Sequence, residues 1–103
     1  MDTILFEEIK VRLQEVYGDC LKGVVLYGSE ARGEADSDSD IDVLVLLEGP
    51  IHLWRDLRTN IHTLYPLSLK YGRPISPKPV DVKQYQAAKY PLYLNAKKEG
   101  VLS

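Results

Sequence analysis

Two apolar runs separated by a small, acidic segment constrain the fold of this chain more than any other feature of its sequence. The stretch LYGSEARGEADSDSDIDVLVLL, residues 26–47, breaks at Gly28-Ser29 and becomes apolar again behind Asp40 and Asp42. Both apolar runs are short and rich in β-branched residues, which predicts two β-strands. The second run is continuously apolar after Asp42, which is typical of a strand buried on both faces. The sequence therefore places two carboxylates at the start of a buried strand.

Hydrophobic periodicity and turn residues predict the other elements. Apolar residues recur at three- and four-residue steps over two long segments, which indicates amphipathic helices, and alternate with polar residues over a third strand. The sequence predicts helices over 3–17, 52–69 and 87–98, strands over 22–27, 40–47 and 80–85, and a proline-rich loop or edge strand over 75–79. Pro66 should kink or end the second helix, whose predicted apolar face comprises Leu53, Leu57, Ile61 and Leu64. This order of elements predicts an α/β or α+β domain around a small sheet.

Length and composition exclude several classes of protein. The chain has 103 residues, the size of one domain, so we expect 1–103 to form a single domain. Its net charge of -2 provides no basic field to gather nucleic acid, which argues against direct DNA or RNA binding. No segment approaches the roughly 20 apolar residues of a membrane span, and the acidic N-terminus differs from a signal peptide. The lone Cys20 allows no intrachain disulfide, and the expected compartment is the cytoplasm.

Asp40 and Asp42 are the candidate metal ligands. They stand two residues apart on a predicted strand, so their side chains leave the same face. Carboxylates at this spacing can converge on one or two divalent cations, as in the two-metal sites that transfer phosphoryl groups. A cation would also offset the repulsion between the two carboxylates. Asp81 is the candidate third ligand, because it would reach the same face if the third predicted strand pairs with the second.

The Gly28-Ser29 bend is the candidate phosphate-binding element. Glycine lets the backbone approach a ligand closely, and a helical turn after it would direct free N–H groups at a phosphate. The hydroxyl of Ser29 adds a donor, and Arg32 is near enough in sequence to contact phosphate through two donors. Together with the aspartates, these residues predict a nucleoside triphosphate site with metal between the phosphates and the carboxylates.

Less specific interpretations of the same residues stay open. Asp36 and Asp38 fit a solvated loop, Asp81 could be a charge that protects an edge strand, and Arg32 could form a surface ion pair. The Gly-Ser pair alone could be a plain turn. A calcium-binding EF-hand is excluded, because counting from Asp36 places Ile41 where that loop requires glycine.

The segment GSEARGEADSDSDIDVLV resembles the minimal nucleotidyltransferases, small members of the DNA polymerase β-like nucleotidyltransferase superfamily. The Gly-Ser pair, ten intervening residues and the Asp-Ile-Asp triplet match the two motifs of that superfamily. The resemblance implies a mixed sheet with helices packed on it. It also implies transfer of a nucleoside monophosphate, AMP from ATP, to an acceptor hydroxyl, with two Mg²⁺ ions and release of pyrophosphate.

The resemblance further implies roles for individual residues and a partner. Gly28 and Ser29 match the phosphate-holding pair, Asp40 and Asp42 match the metal-binding carboxylates, and Asp81 resembles the third carboxylate, which would help to activate the acceptor oxygen. Arg32 matches an arginine that is common beside the first motif.

Small members of this family are commonly paired with helical HEPN-type proteins in toxin–antitoxin systems, where the transferase is the antitoxin and adds AMP to a tyrosine of the toxin. The resemblance therefore implies an acceptor supplied by a partner protein. Two alternatives stay open: a non-catalytic antitoxin module that binds nucleotide or occludes the toxin, and a transferase that modifies RNA or an antibiotic. Acidic charge and small size disfavour the last of these. The sequence also leaves open whether the chain forms homo-oligomers.

Overall fold

The structure of the protein is a computed structural model that describes residues 3–28, 39–87, 90–99 and 101–102. Helix α1 spans Thr3–Tyr17 and is followed by a 3-10 turn over Gly18–Cys20. The remaining elements, in chain order, are β1 Leu21–Tyr27, β2 Ile41–Leu47, α2 Leu53–Tyr71, β3 Ile75–Asp81, α3 Val82–Ala87, α4 Pro91–Glu99 and β4 Val101–Leu102.

The strands that the structure describes form one mixed sheet in the order β3-β2-β1-β4. Strand β1 runs antiparallel to β2 and to β4, whereas β2 and β3 run parallel. Helices pack on this sheet, which confirms the predicted fold class. The two-residue β4 carries no sequence signal of its own and was not predicted.

Strand β2 is the centre of the core, as its continuous apolar run predicted. Helices α1 and α2 cover one of its faces, and α3 and α4 cover the other. The residues of β2 from Val43 to Leu47 are each at most 3% exposed. At about 25 cal/mol for each Å² of apolar surface removed from water, this two-sided burial is the main contribution that holds the sheet between its helices.

The proline-rich segment forms edge strand β3, and the prediction of a strand over 80–85 is wrong beyond Asp81. Pro77 and Pro79 are two residues apart, so both ring nitrogens point to the same side of the strand, and an edge strand has one side with no ladder to complete. The strand ends because the Asp81 carboxylate accepts a hydrogen bond from the Lys83 N–H at 2.8 Å, which caps the first turn of α3.

Of the apolar face predicted for helix α2, Leu64 is buried and Leu57 is partly buried, whereas Leu53 and Ile61 are exposed. The helix continues through Pro66 to Tyr71. Asp56 and Asn60 are buried with Leu64 and Leu67, and the Tyr17 hydroxyl donates to Asn60 Oδ1 at 2.5 Å. An apolar stripe is left exposed on α2; it comprises Trp54, Ile61, Tyr65 and Leu69. None of the helices in the described part of the chain combines the length and apolarity that crossing a bilayer requires.

Candidate active site

The end of β1 and the start of β2 meet because the two strands are antiparallel, and this meeting point brings the predicted site residues together. Tyr27, the last residue of β1, pairs with Asp42. Gly28 follows with a φ of +73°, in the left-handed region that favours glycine. A Cβ atom at Gly28 would lie 2.7 Å from Asp42 Oδ2. The glycine bend therefore packs directly against the carboxylate, and a side chain at this position would collide with it.

Asp40 is close enough to Asp42 to affect the ionisation of Asp42. Partial burial, and then the negative charge of Asp40, raise the pKa of Asp42 above its ordinary value. The pKa of Tyr27 is raised in the same way, first by burial and then by the charge of Asp42. Because each of these shifts disfavours an added negative charge, this end of the sheet is suited to receive a cation.

Ser29 and Arg32 lie outside the described residues. Their contacts with phosphate stay predictions.

The prediction that Asp81 joins this site is wrong. The parallel register pairs Asp42 with Ser76, and it pairs Asp81 with Leu47 at the far end of β2. At about 3.3 Å per residue, the five positions from Ser76 to Asp81 correspond to a separation of roughly 16 Å. Instead, the Asp81 carboxylate caps α3 and lies against Gly49, where any Cβ would overlap it.

Residues just before and at the start of β3 contact Ser39 and Asp40 instead. The sequence did not predict these contacts. The Ser76 hydroxyl donates to Asp40 Oδ2 at 3.4 Å. The Arg73 guanidinium donates through Nε and Nη2 to the Ser39 carbonyl at 3.1 and 2.9 Å. Nothing in the sequence marks these two side chains, because their importance depends on the register between β2 and β3.

Asp40 and Asp42 are suited to hold Mg²⁺ together with a triphosphate. Within residues 3–28, 39–87 and the other described segments, no group of three or more His, Cys, Asp or Glu side chains could hold a metal ion. In the part of the chain that the structure describes, the site therefore offers two carboxylates. This donor set fits Mg²⁺, which usually takes one or two protein carboxylates and completes its coordination with waters and substrate phosphate oxygens.

Comparison with known proteins identifies the class to which this fold and site belong. Residues 6–99 match the family model described as the nucleotidyltransferase domain. The match spans most of the chain, so the chain belongs to the nucleotidyltransferase domain family and is an enzyme of that class.

The chain is also similar in sequence to a curated relative. Over 74 residues the chain is 39% identical to "Putative protein adenylyltransferase MJ0141" of Methanocaldococcus jannaschii, which covers 71% of this chain and 73% of the relative.

Two solved structures share the fold. A toxin-antitoxin crystal structure with AMP-PNP matches with a TM-score of 0.62 and 18% identity, over 93% of this chain and 70% of the other. A toxin-antitoxin structure described as MntA-HpeT mutant Y104A matches with a TM-score of 0.60 and 17% identity, over 94% and 70% of the two chains. At these identities the likeness establishes the fold alone.

Proposed function

We propose that this protein is a Mg²⁺-dependent adenylyltransferase that moves AMP from ATP to a hydroxyl of a partner protein. The observation that carries this proposal is the packing of Gly28 against Asp42, with Asp40 beside it at the start of a buried strand. The relative named as a protein adenylyltransferase supports the adenylyl group and the protein acceptor. We further propose that residues 1–103 act as one catalytic domain in the cytoplasm.

The partner that we propose is a toxin of the helical HEPN type, with this chain as its antitoxin. Two structures with the same fold are described as toxin-antitoxin complexes, one of them with AMP-PNP, an ATP analogue.

In the proposed reaction, the acceptor oxygen attacks the α-phosphorus of ATP. The bond between that phosphorus and the pyrophosphate oxygen breaks, and pyrophosphate leaves with its electron pair. Asp40 and Asp42 would hold Mg²⁺, which when bound would neutralise negative charge on the triphosphate. The bend at Gly28 lets the backbone come close to the phosphates, and the Ser29 hydroxyl would donate to them. The attacking hydroxyl must also lose a proton. Because Asp81 lies at the other end of the sheet, this proton would pass to the solvent that reaches the exposed Asp40.

The direct test is label transfer from α-labelled ATP to the candidate toxin, with the adduct located by mass spectrometry. Asp42→Asn should abolish transfer, because it removes a ligand charge without changing the size of the side chain. Asp81→Asn is the matched control: it makes the same chemical change outside the site, and asparagine still caps a helix, so transfer should persist. Full transfer by the Asp42→Asn protein would refute the proposed site.

The absence of Asp81 from the site favours one second candidate, a module that binds ATP without transferring its adenylyl group. Such a protein would act as an antitoxin by covering the toxin. Thermal melting with and without millimolar ATP and Mg²⁺ separates the possibilities, since a ligand that binds only the native state raises the melting temperature. A raised melting temperature without label transfer would establish the binding module, and label transfer would establish the enzyme.

A further inference from the structure

We infer that Arg73 and Ser76 are positioning residues. They hold Ser39, Asp40 and Ile41, which we call the carboxylate segment, in place for the ligand of the site. The inference extends the proposed function, on which it rests for the identity of that ligand. Residues 73–76 comprise the end of the turn after α2 and the first two residues of β3, and three of them contact the consecutive residues Ser39, Asp40 and Ile41. We call these contacts the brace.

In the brace, each residue of the carboxylate segment is contacted by a different residue of 73–76. Arg73 donates two hydrogen bonds to the Ser39 carbonyl, at 3.1 and 2.9 Å. The Ile41 N–H donates to the Pro74 carbonyl at 2.9 Å. The Ser76 hydroxyl donates to Asp40 Oδ2 at 3.4 Å. Backbone on both sides of Asp40 is therefore fixed, and so is one of its carboxylate oxygens.

Local sequence explains why Arg73 reaches the carboxylate segment. Helix α2 ends at Tyr71 and is capped by Gly72, whose φ of +66° is accessible to glycine at low cost. The Gly72 N–H donates a hydrogen bond back to the Ser68 carbonyl. The Arg73 N–H bonds to the same carbonyl at 3.2 Å. This turn reverses the chain and directs Arg73 toward the start of β2.

The segment needs such support because Asp40 lies outside the sheet. Strand β2 begins at Ile41, so the ladder with β1 and β3 does not fix the residue before it. Asp40 is exposed, and water would otherwise compete for its carboxylate. Hydrogen bonds from a charged donor are among the stronger ones, so Arg73 supplies the larger part of the brace. A carboxylate held in one orientation binds a cation more tightly than a free one.

The experiment compares three variants with matched controls. Arg73→Lys keeps the charge but loses the two-donor fork, Ser76→Ala removes the hydroxyl, and Ser76→Thr keeps it. Arg58→Lys and Thr63→Ala, which remove a guanidinium fork and a hydroxyl on α2 away from the brace, serve as controls.

The first measurement is amide hydrogen exchange in the metal-free protein. Arg73→Lys should speed exchange of the Ile41 amide about tenfold, which corresponds to losing one hydrogen bond to a charged group. Exchange of the Val45 amide, at the centre of β2, should stay unchanged in the same sample. An equal rise at both amides would mean that Arg73 only stabilises the whole fold, and it would overturn the inference.

The second measurement is the affinity for Mn²⁺ with a non-hydrolysable ATP analogue. Arg73→Lys and Ser76→Ala should each bind Mn²⁺ about tenfold more weakly, the low end of the loss seen when support of a metal ligand is removed. Ser76→Thr and both controls should bind like the wild type.

The two measurements separate this inference from the proposed function. If the wild type binds no Mn²⁺-nucleotide, the proposed function fails, and the exchange of Ile41 still decides whether the brace exists. If the wild type binds Mn²⁺-nucleotide and both Arg73→Lys and Ser76→Ala bind it as tightly as the wild type does, the brace has no role in positioning and the inference is wrong.

Discussion

Replacing Gly28 by alanine tests the geometry of the site directly, because the structure provides its own controls. The substitution places a Cβ 2.7 Å from Asp42 Oδ2, well inside the ordinary contact distance of about 3.5 Å. Gly18 and Gly72 also have positive φ values, +56° and +66°, but a Cβ on either would meet no atom within 4 Å. The three substitutions therefore share backbone strain, and only one adds a collision.

The expected magnitudes follow from these two effects. A non-glycine residue in the left-handed region costs about 1–2 kcal/mol, which is the expected loss for Gly18→Ala and Gly72→Ala. Gly28→Ala should lose this amount and about 0.5–1.5 kcal/mol more, since the Asp42 side chain must leave its preferred rotamer. Displacement of that carboxylate should also weaken binding of Mn²⁺ with an ATP analogue, whereas Gly18→Ala should leave this binding intact.

Urea unfolding followed by far-ultraviolet circular dichroism measures these differences. The single tryptophan, Trp54, is 74% exposed, so its fluorescence would report weakly on unfolding. In an Asp42→Ala background, the extra cost of Gly28→Ala should disappear, because the colliding oxygen is gone and the Cβ of residue 42 lies at an ordinary contact distance of 3.7 Å. Equal losses for Gly28→Ala and Gly72→Ala, within about 0.5 kcal/mol, would show that Gly28 does not press on Asp42.

Three further predictions concern stability. Leu64→Ala on the buried face of α2 should lower the free energy of unfolding by about 2–5 kcal/mol, whereas Trp54→Ala on the exposed stripe should change it by at most about 0.5 kcal/mol; comparable losses in urea unfolding would contradict the burial described for this helix. Burial and then Asp40 raise the pKa of Asp42, so the folded state binds its proton more tightly than the unfolded state. Stability of the metal-free protein should therefore fall as pH rises from the ordinary value of 3.8 through the raised pKa, and Asp42→Asn should reduce this fall; an unchanged pH profile of the variant would refute that assignment. Asp81→Ala should lose about 1 kcal/mol with the cap of α3, whereas Asp81→Asn should lose little, and thermal melting that ranks them in the opposite order would rule out the cap.

The parts of the site that the sequence predicted depend on local geometry. The spacing of Asp40 and Asp42 alone predicts that their side chains lie close together, and the charge of Asp40 does act on Asp42. The bend at Gly28 follows from a glycine between two apolar runs. Their meeting requires only that neighbouring strands along the chain pair in an antiparallel manner, which is the commonest arrangement.

The parts that the sequence did not predict depend on pairing between distant segments. Asp81 would be a third ligand if the predicted strand over 80–85 paired with β2 from its first residues. The actual partner begins at Ile75, and a shift of five residues moves a side chain along most of the length of the strand. The prolines left both a loop and an edge strand open for 75–79, since proline is tolerated in a strand only at an edge of the sheet.

By itself, the sequence determined the two central strands, the pair of carboxylates and the glycine bend that packs against Asp42. These features depend on periodicity and backbone freedom, which are properties of short segments. The tertiary structure decided which residue of β3 lies beside Asp42, and which face of α2 turns inward. Both depend on contacts between residues far apart in the chain: the parallel register that gives this place to Ser76, and the Tyr17–Asn60 hydrogen bond that accompanies burial of a polar face. Local patterns do not contain that information, because the free energy of each contact arises only when the segments meet.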